Sequence, residues 1–173
     1  IYVGSTEGIV YSLSLEGQKE WQFETDPKGS SPTIDLPISA NSELVFVVST
    51  TSYEDGLLYA INKTDGTERW TQNGSAEWDH APVVGGGTVY LSYRNQSMDE
   101  IKALNSSNGD IQWEFLRYGY VSDITLGGTS IYVSGVEEGG YVRRIPNDGS
   151  TYGEEITSFS GINVQSIQSP SVA

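Results

Sequence analysis

Fourteen residues, Leu57-Leu58-Tyr59-Ala60-Ile61-Asn62-Lys63-Thr64-Asp65-Gly66-Thr67-Glu68-Arg69-Trp70, carry a pattern that recurs along the chain and limits what it can fold into. Leu57, Tyr59 and Ile61 alternate with Leu58, Ala60 and Asn62, the period of two expected of a half-buried strand. Thr64-Asp65-Gly66 is turn chemistry, because glycine takes positive φ without a Cβ clash. Trp70 follows four residues later on the returning strand. Glycine turns at Gly17, Gly66, Gly109 and Gly149 lie 49, 43 and 40 residues apart, and tryptophan follows the first three at Trp21, Trp70 and Trp113. Such self-similarity marks a repeat protein.

Around each turn the same order of strands can be read. Ile9 to Leu13, Leu57 to Ile61 and Ile101 to Leu104 precede the turns. Before them stand Ile1 to Ser5, Leu44 to Val48, Val89 to Ser92 and, in the fourth unit, Ile131 to Ser134. Short strands at Ser31 to Ile34, Ala81 to Val84, Asp123 to Leu126 and Ser169 to Val172 follow the polar stretch after each unit. Four short strands per unit of about 40–45 residues is the size of one antiparallel propeller blade. The expected fold is therefore an all-β β-propeller of four-stranded antiparallel blades, about four of them present. The divisions are 1–26 (a partial blade), 27–74, 75–118, 119–165 (degenerate) and 166–173 (the first strand of a further blade).

A blade cannot bury both its faces alone, so stacked blades bury each other. A tryptophan at a fixed place can bridge to the next blade, its ring on the turn glycine and its indole N–H on a backbone carbonyl. Trp21, Trp70 and Trp113, with Gly17, Gly66 and Gly109, are the expected docking residues. The fourth unit departs: by count Gly153 stands in the tryptophan's place, and Arg143-Arg144 replaces small or apolar residues. The arginines are expected to pair with acid across the seam that lacks its tryptophan.

The run Tyr59-Ala60-Ile61-Asn62-x-x-x-Gly66-x-x-x-Trp70, followed by Ala81-Pro82, resembles the pyrroloquinoline-quinone-type propeller repeat with its tryptophan-docking motif. Ile1 to Gly8, Tyr11-x-Leu13 and Gly17-x-x-x-Trp21 resemble it too, with one residue deleted before the turn. The resemblance covers nearly the whole chain and implies a segment of a seven- or eight-bladed ring. A rival arrangement has the last strand closing onto the first unit, as a small ring or half of a ring made by two chains. The family includes quinoprotein dehydrogenases, the propeller lipoprotein of outer-membrane assembly and surface proteins that bind no quinone. Its quinone sites use a tryptophan floor, an adjacent-cysteine lid, and calcium held by Glu and Asn beside an Asp base. This chain has no cysteine and no matching Asp/Glu/Asn cluster. No cofactor is expected.

The net charge of −14, with 23 acidic residues against nine basic, argues against nucleic acid and against an anionic membrane surface. It suits high salt or the cell exterior, and equally an ordinary acidic surface protein. No apolar run of about 18 residues offers a membrane span. Four sequons, at Asn62, Asn73, Asn95 and Asn105, fall in or near expected turns, so they read either as glycan acceptors or as ordinary turn asparagines.

Candidate chemistry is sparse. Trp78, Asp79 and the single histidine, His80, form the most unusual local sequence, on a loop entering the third unit. One histidine cannot build a histidine metal cluster, and neighbours on an extended segment face opposite ways. Asp99-Glu100 and Glu137-Glu138 read as solvated hairpin tips, and Gly85-Gly86-Gly87 and Gly127-Gly128 as hairpin turns. Tyr53 to Gly56 is an acidic tip without EF-hand spacing. The functional expectation is a non-catalytic, extracellular or cell-surface scaffold that contacts a protein partner or neighbouring blades. Self-association through open blade faces is also expected. The alternatives are a segment of a quinoprotein-type oxidoreductase and a carbohydrate-binding propeller using Trp78, Tyr93 and Tyr118-Gly119-Tyr120.

Overall fold

The computed structural model describes residues 1–25, 32–51, 56–74, 80–95, 98–118, 120–136 and 139–160, and among these there is no helix. The first sheet is the meander β1 (Tyr2–Gly4), β2 (Ile9–Leu13) and β3 (Lys19–Glu24). The second is β4 (Ser39–Ala40), β5 (Leu44–Ser49), β6 (Gly56–Asn62) and β7 (Glu68–Gly74). The third is β8 (Val83–Gly85), β9 (Thr88–Asn95), β10 (Met98–Asn105) and β11 (Ile111–Tyr118). The fourth is β12 (Tyr120–Gly127), β13 (Ser130–Val136), β14 (Gly139–Pro146) and β15 (Glu154–Ser160). Every pairing is antiparallel, and these are the blade-like sheets of a β-propeller.

Two expectations shift in detail. The first strand of the second sheet lies at Ser39–Ala40, paired with Phe46 and Val45, while Thr33 makes only an isolated bridge to Thr50. Pro32 and Pro37 lack an N–H, so this stretch cannot keep a continuous ladder. The half-buried reading of Leu57 to Ile61 also changes: Leu58, Tyr59, Ala60 and Ile61 are all buried, as is every residue of β5. A sheet stacked between two others has no wet face. The strand expected at Ser169 to Val172 lies outside the described residues.

The core is three apolar layers between successive sheets. Val10, Trp21, Ile34, Val45, Val47, Tyr59 and Ile61 fill the first. Phe46, Leu58, Trp70, Leu91 and Leu104 belong to the second. Tyr90, Ile101, Ile124, Ile131 and Ile145 belong to the third.

Each layer is closed at its outer edge by an indole. Trp21 Nε1 donates to Lys63 O at 2.9 Å, Trp70 to Ser106 O at 3.0 Å and Trp113 to Asn147 O at 2.9 Å. The rings cover Gly66, Gly109 and Gly149 in turn. A Cβ on Gly66 would stand 2.8 Å from the Trp21 ring, and one on Gly109 would stand 2.9 Å from that of Trp70. Both glycines have positive φ, 73° and 78°, so turn geometry and close approach require the same residue. The turn before Trp70 is fixed further by Asp65 Oδ1, which accepts from Thr67 N and Thr67 Oγ1 at 3.0 and 2.7 Å. Those bonds hold the Asp65 carboxyl below its ordinary pKa.

The ladder also shows how the tryptophan is aimed. A register shift falls beside each one, where Trp21, Trp70 and Trp113 stand opposite Ser12, Ala60 and Ala103. The extra residue is a β-bulge, which re-aims the next side chain, and the small partner leaves room for the ring. In the fourth sheet the shift moves to Val142/Arg143, and Glu154, not Gly153, stands across from Arg144 in the tryptophan's register. Gly153 instead has a φ of 93° and lies against the Arg144 carbonyl.

Trp70→Ala is expected to lower stability by about 3–5 kcal/mol, since it removes a large buried ring and a buried hydrogen bond. Urea unfolding of the two proteins checks this. Gly109→Ala should also destabilise, because the new Cβ meets both the indole and an unfavourable φ.

Candidate interaction surface

Sequence reasoning treats Asp99-Glu100 as a solvated tip. In the structure they are 2% and 8% exposed. The reason is strand length: β10 begins at Met98 rather than Ile101, so both carboxylates lie within the ladder, between neighbouring sheets. Glu100 faces the second sheet's layer. Its carboxylate accepts from the Tyr93 hydroxyl, and Lys102 Nζ lies 3.3 Å away. Lys102 also reaches Glu114 at 3.6 Å and stands 4.7 Å over the Tyr93 ring. The carboxylate is thus compensated by a hydroxyl and an ammonium, as burial of charge requires. Burial, and then Glu100, push the Tyr93 phenol well above its ordinary pKa.

Asp99 faces the fourth sheet. Its Oδ2 accepts the backbone N–H of Val121, and Arg94 Nε is 3.6 Å from Oδ1. The Arg94 guanidinium lies 4.6 Å over the Tyr120 ring. His80 Nε2 is 2.8 Å from Val121 O, so this nitrogen carries the proton. Both backbone groups of Val121 are therefore held from the third sheet and its entering loop. Val121 adjoins the β12 bulge, where the ladder steps from Val121–Gly135 to Asp123–Ser134. At a bulge the ladder leaves backbone groups in need of other partners.

The other expected sites are placed as follows. Trp78, Asp79, Glu137-Glu138 and Tyr53 to Asp55 lie outside the described residues. Of the aromatics expected to meet carbohydrate, Tyr93 is 2% exposed and bonded to Glu100, so it offers no stacking face. Tyr120 is exposed but carries Arg94 on its ring. Arg143 corrects another reading. It pairs with Glu155 within its own sheet at 3.3 Å, and not across a seam, and it stands 4.8 Å from the Tyr152 ring centre. Antiparallel pairing of β14 with β15 brings the two charges opposite each other. Gly86, Gly87 and Gly128 occupy hairpin turns with positive φ. Asn73 is exposed; Asn62 and Asn105 are partly covered, and Asn62 Nδ2 donates to Thr67 Oγ1 at 2.7 Å. The Asn95 side chain is outside the described set.

Among the described residues no group of three or more His, Asp or Glu is arranged to hold a metal. What the surface does present is an acidic outer edge. Glu20, Glu24, Glu68, Glu114 and Glu155 on the last strands, with Glu16, Asp65, Asp110 and Asp148 at the turns, are all exposed. Charge along an open edge also discourages unwanted strand pairing.

Sequence reasoning missed the Asp99 and Tyr93–Glu100 contacts. The available signal was the hairpin itself: Tyr93 and Glu100 are cross-strand partners, as are Arg94 and Asp99. Opposite charges facing each other on paired strands favour a continued ladder over a wet tip.

The raised Tyr93 pKa gives a signed expectation. Above about pH 10 the unfolded chain loses this proton while the folded chain keeps it, so stability falls as pH rises further. Denaturant titrations at pH 8 and pH 11 should show a smaller alkaline loss in Tyr93→Phe than in the parent. Asp99→Ala should cost about 1–3 kcal/mol at neutral pH, because it strips the Val121 N–H of its acceptor in a buried place.

A family model described as outer membrane protein assembly factor BamB matches residues 6–152. Outer membrane protein assembly factor BamB of Yersinia pestis is 27% identical over 120 residues, covering 66% of this chain and 28% of that protein. The chain thus spans little more than a quarter of that relative's length. Among solved structures, Saccharomyces cerevisiae Sqt1 superposes with a TM-score of 0.68 at 16% identity, over 94% of this chain and 44% of Sqt1. Quinohemoprotein alcohol dehydrogenase from Comamonas testosteroni gives 0.67 at 14% identity, over 92% of this chain and 33% of the enzyme. At such identities these likenesses speak for the propeller fold alone.

Proposed function

Because the chain belongs to the family described as outer membrane protein assembly factor BamB, we propose that it is a non-catalytic scaffold of the cell envelope or cell surface, contributing to protein–protein contact or assembly. One observation carries this reading. The ionisable groups that a catalyst would draw on, His80, Asp99, Glu100 and Tyr93, are all engaged in joining strands or sheets. Groups held in this way brace a rigid body rather than move protons. The free surface is the acidic outer edge, whose like charges favour a partner with a basic face. An extracellular setting would add glycans at the sequons. Of the three whose side chains are described, Asn73 is exposed and should then be more fully occupied than Asn62, which must first release Thr67.

Two measurements test the scaffold reading. A photo-crosslinking residue placed at Glu68 or Asp110 in cells should give discrete protein adducts, with far fewer from the same probe at Glu7, on the first hairpin. Equal labelling at all three places would remove the acidic edge from the proposal. Purified protein titrated with pyrroloquinoline quinone and calcium should show no saturable absorbance change. Saturable binding with alcohol-dependent reduction would replace the scaffold with an oxidoreductase.

A further inference from the structure

Two asparagines stand directly before a glycine, in Asn73-Gly74 and Asn108-Gly109. This dipeptide has a chemistry of its own that needs no enzyme. Glycine has no Cβ to shield its amide nitrogen, so that nitrogen can reach the side-chain carbonyl carbon of the asparagine before it. The reaction requires a side-chain amide that nothing holds, a glycine N–H that can leave its acceptor, and rotation of the backbone between the two residues.

The fold treats the two pairs differently. Asn108 is held at both atoms of its amide: Nδ2 donates to Asp110 Oδ2 at 2.6 Å, and Oδ1 accepts Asp110 N at 3.1 Å. Gly109 N donates to Asn105 O at 2.8 Å, and Gly109 O accepts Gln72 Nε2 at 2.8 Å. Gly109 is also buried, with the Trp70 ring over it. Turning Gly109 N toward Asn108 Cγ breaks its bond to Asn105 O, strips the Asn108 amide of Asp110 and shifts the glycine beneath the ring. Asn73, by contrast, is exposed on the edge strand β7, and no described residue hydrogen-bonds its side chain. Gly74 is buried, yet it ends β7, and its pairing with Gly56 is the last described rung of that ladder. A terminal rung opens by fraying at little cost, whereas the Gly109 turn opens only with the seam it belongs to.

We propose that Asn73 is a site of spontaneous deamidation, and that the fold keeps Asn108 from the same fate. Gly74 N bonds to Asn73 Cγ and the Cγ–Nδ2 bond breaks. The leaving amide takes the Gly74 amide proton and departs as ammonia. Water then opens the cyclic imide at either carbonyl. Opening at Cγ gives aspartate; opening at the main-chain carbonyl gives isoaspartate, with the chain running through Cβ and Cγ. Both products add a negative charge to a strand that already exposes Glu68. Both also end the Asn73-Gly74-Ser75 sequon. The nitrogen that a glycan would occupy is the one lost as ammonia, so glycosylation and deamidation are exclusive fates of one atom. The class of reaction that consumes the isoaspartyl product is methyl transfer to its carboxylate.

The test uses the full chain without glycans, held folded at mildly alkaline pH and, in parallel, unfolded in concentrated urea. Trypsin places the two sites on separate peptides, Trp70 to Arg94 and Ala103 to Arg117. Mass spectrometry reads the change from amide to acid at each asparagine. An isoaspartyl methyltransferase with labelled S-adenosylmethionine reads the isoaspartate. In the folded protein Asn73 should convert at least about tenfold faster than Asn108, because each hydrogen bond at Asn108 adds to the barrier. In urea the two rates should converge, since the dipeptides are then equivalent. Asn73→Gln should abolish methyl acceptance by the folded chain and leave its melting temperature unchanged, as an exposed substitution does. Equal rates in the folded protein, faster conversion at Asn108, or conversion at Asn73 only in urea would overturn the inference.

Discussion

An indole laid on a glycine holds this molecule together as a stack. Each sheet has two apolar faces and is stable only between neighbours, so the energy of the fold is concentrated in the seams. Dispersion and burial of apolar area supply most of that energy, but neither fixes how one sheet sits on the next. The Trp21, Trp70 and Trp113 contacts do fix it. Each ring has one permitted site, a turn without a Cβ, and one permitted orientation, set by an N–H aimed at a single carbonyl. Sliding one sheet along another would break the hydrogen bond and drive the ring into a neighbouring side chain.

The other ends of the sheets are tied by different chemistry. Asp99 and His80 hold Val121 from its two sides, while at the indole end of the preceding seam Gln72 Nε2 donates to Gly109 O at 2.8 Å. Thr25 and Ser49 share a buried hydroxyl contact at 3.0 Å across the first. These polar contacts add directional constraint to layers that are otherwise apolar. They also account for charges that look out of place in a stacked core: Glu100 is balanced by Tyr93 and Lys102, and Asp99 by Arg94 and an N–H. A charge so placed is costly to strip of its partner, and of these contacts the one from Asp99 to the Val121 N–H joins two sheets.

The repeat was legible because its grammar is local. A turn glycine and a tryptophan four residues on are set by backbone conformation over a few residues, and their recurrence at Gly17, Gly66 and Gly109 reveals the stacking. Burial at Asp99 and Glu100 was not legible in the same way. A carboxylate near a hairpin reads as wet until one knows what packs on both faces, and those neighbours come from other parts of the chain. The fourth unit shows a further limit. Counting from Gly149 reaches Gly153, but the ladder is set by where the bulge falls, and its move to Val142/Arg143 brings Glu154 into register. The β4 offset has a similar cause, since prolines remove donors that simple alternation assumes are there.

The acceptors at the three seams, Lys63, Ser106 and Asn147, share no side-chain chemistry, because only their backbone oxygens are used. What one blade recognises in the next is therefore nearly independent of sequence. A blade duplicated, deleted or exchanged within such a chain meets an acceptable neighbour at once, provided it keeps its glycine and its tryptophan. Architectures of this kind can lengthen or shorten by whole units without inventing a new interface. The order of the blades is then kept by the few side-chain contacts particular to one pair, of which the grip on Val121 is the most specific. Drift in the outward surface is free to follow the partners, while the inward grammar stays fixed.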